Sequence, residues 1–161
     1  MIWFVILSIA TIIYFFMASK QDIKERRIYT VPVIVLHALW STYLLCMTDY
    51  TSEFLCVFWM LHLMLYILLN VFQIWGGGDS DLFLLFADLC LIAGPMESAY
   101  TIAIRECLFL AVGLAIAIGV GYVDFKIRGE KMESKKDIAV APGFAVVTLA
   151  LIMKGLVWRL M

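Results

Sequence analysis

Apolar residues run along this chain in stretches of about twenty, and polar residues gather in the short intervals between them. Six stretches are long enough to be read as helices crossing a hydrocarbon core of ~30 Å, at about 2–18, 31–48, 54–75, 82–99, 101–123 and 138–158. Asp88 interrupts the fourth, which closes at Gly94-Pro95, and the fifth opens close to Arg105-Glu106. The pattern predicts an all-α polytopic membrane protein with about six transmembrane helices, the whole of 1–161 forming one membrane-embedded domain.

Composition points the same way. The chain is 65% hydrophobic with a mean hydropathy of +1.00, well above the roughly 45–50% apolar content of soluble domains. The net charge of -1 says little as a total, but the placement of the charges carries an orientation. Interval 19–30 holds Lys20, Lys24, Arg26 and Arg27, and interval 124–137 holds Lys126, Arg128, Lys131, Lys135 and Lys136, together nine of the 12 basic residues. Six spans put both intervals on one side, which the positive-inside rule makes cytoplasmic, with both termini outside and the 76–81 turn in the cytoplasm. The opposite interval at 49–53 carries only Asp49 and Glu53. A multi-pass protein of the cytoplasmic (inner) cell membrane is expected, with the lipid bilayer as a partner and no nucleic acid.

The first stretch lacks a basic n-region and a small-residue cleavage site, so it reads as a span and not as a signal peptide. Cys46, Cys56, Cys90 and Cys107 form no Cys-x-x-Cys pair and read as buried thiols. His37 and His62 lie within spans without a ligand cluster, so satisfied interior histidines are expected in preference to metal ligands. Gly113, Ala117 and Gly121 make a small-residue stripe suited to close helix packing. Arg105-Glu106 reads as a helix end or an internal ion pair. Asp88, seven residues past Asp81 and on the same helix face, is expected to serve packing or to shape a site.

Two aspartates carry the candidate chemistry. Asp22 falls in a basic loop after the first stretch, and Asp79 closes the run Gly76-Gly77-Gly78-Asp79 after the third. Three glycines in succession should break the helix and admit another chain closely, and Trp75 before them suits the membrane interface. Each acid has an ordinary reading, Asp79 as a helix N-cap and Asp22 as a solvated loop acid. Their shared side of the membrane allows a pair. Two close carboxyls share a proton, so one can deprotonate a water while the other protonates the leaving group, with no metal or cofactor required.

Gly76-Gly77-Gly78-Asp79 resembles the Gly-x-Gly-Asp motif of the type IV prepilin peptidases, a family of membrane aspartyl proteases. Asp22-Ile23-Lys24-Glu25-Arg26-Arg27-Ile28 resembles that family's first aspartate motif, in which the acid precedes a basic run and Arg-Ile-Pro-Asn. Ala139-Val140-Ala141-Pro142-Gly143-Phe144 is similar to the proline-containing start of its last helix. The resemblance implies Asp22 and Asp79 as the catalytic pair, with Gly76, Gly77, Gly78, Arg27, Asp81 and Pro142 binding substrate or shaping the backbone. It also implies prepilin-like substrates (type IV pilin, pseudopilin or archaellin-like), cut between a short basic leader and a hydrophobic helix. Asp124, Glu130 and Glu133 are then candidates to meet that leader.

The chain departs from the family in three places. Tyr29-Thr30 stand where Pro-Asn is usual, and Asp81 stands where a lysine is usual. A carboxylate at 81 is expected to push the pKa values of the pair upward. The paired Cys-x-x-Cys motifs of the long bifunctional members have no counterpart, which implies a small, peptidase-only form. A non-catalytic assembly subunit, or a small transporter using Asp79 and Asp88 as an ion relay, is the rival reading.

Overall fold

The computed structural model describes residues 1–129 and 138–161. Among these residues the chain forms six helices, α1 (Ile2–Glu25), α2 (Thr30–Met47), α3 (Ser52–Val71), α4 (Gly77–Ile92), α5 (Ala99–Arg128) and α6 (Ala141–Leu160). Five of them, all but α4, are long and apolar enough to cross a membrane. Their outer faces expose Ile2, Trp3, Phe16, Val31, Met60 and many other large apolar side chains, as a surface that meets lipid must. The protein is a polytopic all-α membrane protein.

α4 is the axis of the bundle. At 16 residues it reaches about 24 Å, short of the hydrocarbon core. Its length is tolerated because protein, and not lipid, surrounds it: α2, α3, α5 and α6 all pack on it, and every residue from Ser80 to Ile92 except Leu84 is buried. Leu82, Leu85, Phe86, Leu89, Leu91 and Ile92 have no measurable exposure. α1 closes the other side against α6 and α2, burying Phe4, Leu7 and Phe15.

Small residues set the tightest crossing. A methyl group added at Gly143 of α6 would overlap the Gly113 carbonyl oxygen and stand 3.0 Å from Ala117 Cβ of α5. The stripe predicted for close packing is thus at a helix crossing, while Gly121 meets Ile138 just ahead of α6. Gly155 similarly lets α6 approach the Ile92 carbonyl at the end of α4. Arg159 fastens that end, donating to the Ile92 and Gly155 carbonyls at 2.9 and 2.8 Å with its guanidinium 4.1 Å from the Phe4 ring centroid.

Several expected boundaries move, for physical reasons. α1 does not stop at residue 18 but continues through Lys20–Glu25 and ends at Arg26, whose φ of 53° and ψ of 39° close it in the left-handed conformation. Asp22 is therefore on a helix, not in a loop. Hydropathy marks where a helix meets lipid, and a polar last turn of good helix formers lies beyond that mark. α3 ends at Val71 and the chain turns through Phe72–Trp75, where Gln73 takes the positive φ of 51°. Gly76 precedes α4, while Gly77 and Gly78 lie inside its first turn, so the break comes before the glycines and none of the three has positive φ. α4 begins five residues earlier than the fourth apolar stretch and ends at Ile92, because Asp79 favours a helix start and Gly94-Pro95 stops its end.

Three of the four cysteines, Cys46, Cys56 and Cys107, are exposed on outer faces, and only Cys90 is a buried thiol. A thiol is apolar enough to face lipid, so its place in an apolar run does not tell inside from outside. Lys131, Lys135 and Lys136 of the orientation argument, and the acids Glu130 and Glu133, lie outside the described residues.

Candidate active site

Both predicted acids lie at one end of the bundle, where α1 and α5 finish and α4 and α6 begin. Asp22 is buried at 5% exposure in the last turn of α1. Its Oδ2 accepts a hydrogen bond of 2.9 Å from the Ala141 backbone N–H at the first residue of α6. That N–H is one of the donors a helix start leaves without an internal partner, and the positive end of the helix dipole favours a carboxylate there. Pro142 follows, adding no N–H of its own and starting the helix with a fixed φ. Pro142 thus shapes the seat of Asp22 from the backbone.

Arg26 holds the same end of α1 to α5. Its Nη2 donates to Asp124 Oδ2 at 2.9 Å, and its guanidinium lies 5.7 Å from the Phe125 ring centroid. Arg27 next to it is exposed.

Asp79 is the third residue of α4, ahead of the apolar stretch that opens at Leu82, and its carboxylate reaches back to the Gly76 backbone N–H. The N-cap of α4 is Gly76, so Asp79 is not the N-cap expected but supports the helix start from its third position, as the acceptor half of a capping box. Its carboxyl pKa is nevertheless pushed up to about 6, first by burial and then by the charge of Asp22, with the Gly76 N–H opposing. The two acids are electrostatic neighbours although they come from α1 and α4.

Gly78 brings them together. A Cβ there would stand 2.7 Å from Ile28 Cβ and 3.2 Å from the Ile28 carbonyl oxygen, so the loop leaving α1 lies directly on the first turn of α4. Gly76 and Gly77 have room, their added Cβ atoms meeting Asp79 Oδ2 at 3.4 Å and Asn70 Oδ1 at 3.8 Å. Of the three glycines, only Gly78 is required by close approach. Trp75 packs on Phe83 and Phe144 at ring-centroid distances of 5.9 and 6.0 Å, walling the turn from the core side.

Asp81 does not act as expected. It is buried at 4% exposure, and its carboxylate lies against the Tyr66 hydroxyl of α3 and within electrostatic reach of Tyr14 of α1. The charge that acts on Asp79 is that of Asp22. Residues two apart on a helix point to different faces, which separates 81 from 79 despite their closeness in sequence. Infrared titration of the Asp79 carboxyl should accordingly be unmoved in Asp81→Asn and should shift to lower pH in Asp22→Asn.

A second polar cluster lies deeper, and its partners were not legible. Asp88 has no exposure. One of its oxygens is 2.6 Å from His37 Nδ1 and 3.3 Å from Ser41 Oγ, both of α2, and the other accepts from Trp59 Nε1 of α3 at 2.9 Å. His62 Nδ1 bonds the Phe58 carbonyl at 2.8 Å, and its Nε2 lies 3.2 Å from Glu106 Oε1 of α5. Both histidines are thus hydrogen-bonded within the bundle, His62 buried and His37 half-buried. Arg105 pairs with Glu97 at 2.8 Å, so Arg105-Glu106 does make internal ion pairs, in two directions. Asp88 thus ties α2 and α3 to the central helix, and Glu106 ties α5 to α3. Among the described residues no three His, Cys, Asp or Glu side chains converge on a metal position.

Tyr14 and Tyr66 were missed by the reading of the sequence. Tyrosine within an apolar stretch is ordinary, and the available signal was the spacing Tyr14, Ala18, Asp22 along one side of α1. No family model matches the chain, and neither a curated protein nor a solved structure does. The fold and its site define a membrane-embedded all-α protein with an acid pair at one end of its bundle.

Proposed function

We propose that this chain is a membrane aspartyl endopeptidase that removes a short basic leader from prepilin-like precursors at the cytoplasmic membrane face. The observation that carries the reading is the meeting of Asp22 and Asp79 at one end of the bundle, with the Asp79 carboxyl raised to about 6 in part by the charge of Asp22. Two neighbouring carboxyls that share a proton in this way have the two protonation states that peptide hydrolysis requires. The ionised member takes a proton from water, the water oxygen attacks the carbonyl carbon, and the protonated member gives its proton to the leaving amine.

The substrate class is what the resemblance of Asp22–Ile28 and Gly76–Asp79 to the prepilin peptidases implies, and the position of the pair is compatible with it. The pair is at the polar end of the helices, so a precursor standing in the bilayer by its apolar helix would present the leader junction at that depth. The rival ion-relay reading needs Asp88 to communicate with Asp79, whereas Asp88 is enclosed by His37, Ser41 and Trp59.

Co-expression with a membrane-anchored precursor made of a Lys/Arg leader, a glycine and an apolar helix tests the activity. A truncated product is expected, and its absence at matched expression would count against the reading. Orientation is tested separately in a chain lacking its native cysteines. A cysteine replacing Lys24 should be shielded from an impermeant thiol reagent in intact cells while one replacing Ser52 labels, and labelling at 24 from outside would separate the site from a cytoplasmic leader.

A further inference from the structure

The Asp88 cluster has an open side. α2 and α3 both pack on α4 and scarcely on each other, and the cleft between them holds a cavity of about 370 Å³. Leu84 and Ala87 of α4, His37 of α2, and Cys56, Trp59 and Met60 of α3 line it. Cys56 and Met60 are exposed on the outer face, so the cavity opens on lipid. Asp88 fixes two of the lining side chains, meeting His37 Nδ1 at 2.6 Å and accepting from Trp59 Nε1 at 2.9 Å. The other ring nitrogen of His37, Nε2, has no partner among the described residues and is not an enclosed atom, for 28% of the side chain stays accessible. The Trp59 indole is half-buried and stacks on no other ring among the described residues.

Charge decides what Nε2 offers. A lone charge in hydrocarbon is costly, so the His37–Asp88 pair is held neutral as a whole. The neutral pair is either an imidazolium on a carboxylate, or an imidazole whose Nδ1 accepts from a carboxylic acid. Both forms carry a proton on Nε2. His37 therefore presents an N–H donor at a cavity where water is scarce, beside an indole that Asp88 holds in place.

We propose that this cavity binds a lipid-soluble quinone, with a ring carbonyl oxygen accepting from His37 Nε2–H, the flat ring against Trp59, and the apolar tail leaving between α2 and α3 into the bilayer. A quinone meets each wall. Its carbonyl is a neutral acceptor, so the His37–Asp88 pair keeps its charge balance, and its conjugated plane suits an indole face. The cavity lies within the size range of small-molecule pockets, and the tail needs none of it. A fatty acid would bring a second negative charge next to Asp88, and a diacylglycerol offers carbonyls without a plane. None of the lining residues belongs to the acid pair, so the two sites are separate.

The full chain in liposomes carries its own reporter, since Cys56 lines the cavity while Cys46 and Cys107 are exposed outside it. The probe is a fully substituted benzoquinone with a decyl tail, and alkylation of each cysteine by N-ethylmaleimide is followed by peptide mass. At about ten times its Kd the quinone should slow alkylation of Cys56 roughly tenfold by mass action, and that of Cys46 and Cys107 less than about twofold. Dioctanoylglycerol should leave all three rates unchanged. His37→Asn puts an amide N–H where Nδ1 stands, so it keeps a donor to Asp88 and lacks Nε2. The quinone concentration for half-protection should then rise about tenfold. Leu84→Phe fills the cavity, leaves the polar side chains in place and should abolish the quinone-dependent protection, which decides the matter where His37→Asn does not fold. No protection of Cys56, equal protection of all three cysteines, equal protection by dioctanoylglycerol, or wild-type protection in either folded variant would overturn the proposal.

Discussion

Asparagine at either Asp22 or Asp79 is expected to lower cleavage by at least about 10³-fold, and the double substitution is expected to be no worse than the single ones, since residues acting as one unit lose their effect together. The stability of the same variants should move the other way. The folded Asp79 carboxyl keeps its proton to about pH 6, while its ordinary value is 3.8. Between those values the folded state holds a proton that the unfolded state has released, so the site's contribution to stability falls as pH rises through that interval. Asp79→Asn removes this loss and should melt at or above the wild-type temperature above pH 6. The wild-type kcat/KM should itself decline above about pH 6, where the shared proton is lost. A calorimetric scan and a pH–rate profile read the two effects separately. A variant that loses activity only because it unfolds would show the opposite shift in Tm.

Gly78→Ala is the second large effect. Two carbons in van der Waals contact lie about 3.5–4.0 Å apart, and the new methyl would stand 2.7 Å from Ile28 Cβ. Neither atom is the flexible end of a side chain, so the loop after α1 must move by about 1 Å, carrying the end of α1 and Asp22 with it. A displacement of that size costs on the order of 100-fold in rate, and the overpacking costs about 1–3 kcal/mol in stability. Gly76→Ala has only ordinary contact at 3.4 Å and an unstrained φ of -69°, so it should stay within a few-fold of wild type. Removing the opposing Cβ as well, in Gly78→Ala with Ile28→Gly, should recover part of the lost rate, because the two substitutions share one contact. Turnover assays on this set, with insertion checked by membrane fractionation, decide it; near-normal turnover in Gly78→Ala would show the run to be an ordinary turn.

The sequence showed the membrane class and the number of helices because lipid imposes a composition that few other environments do. It misplaced the ends of α1, α3 and α4 because helices are ended by backbone chemistry: Arg26 and Gln73 in the left-handed region, and an acid in the first turn of α4. The short α4 is the clearest case. Enclosed by protein, it escapes the length rule that lipid sets for its neighbours. Asp22 and Asp79 were legible as residue types in suggestive places, but what holds them was not. The Ala141 N–H that fixes Asp22 comes from the far end of the sequence, and the loop that Gly78 admits is contacted through a backbone carbonyl and a Cβ, which any residue type at 28 other than glycine would carry. The pairing of His37 with Asp88 is equally long-range, since no periodicity joins a residue of α2 to one of α4.

The most direct test of the acid pair is intact mass measurement of the precursor after incubation with the chain in liposomes at about pH 6. The account predicts two fragments whose masses sum to that of the precursor plus one water, divided at the junction of basic leader and apolar helix, and no fragments with Asp22→Asn or Asp79→Asn. An uncut precursor with the wild-type chain, or the same two fragments with either variant, would contradict it.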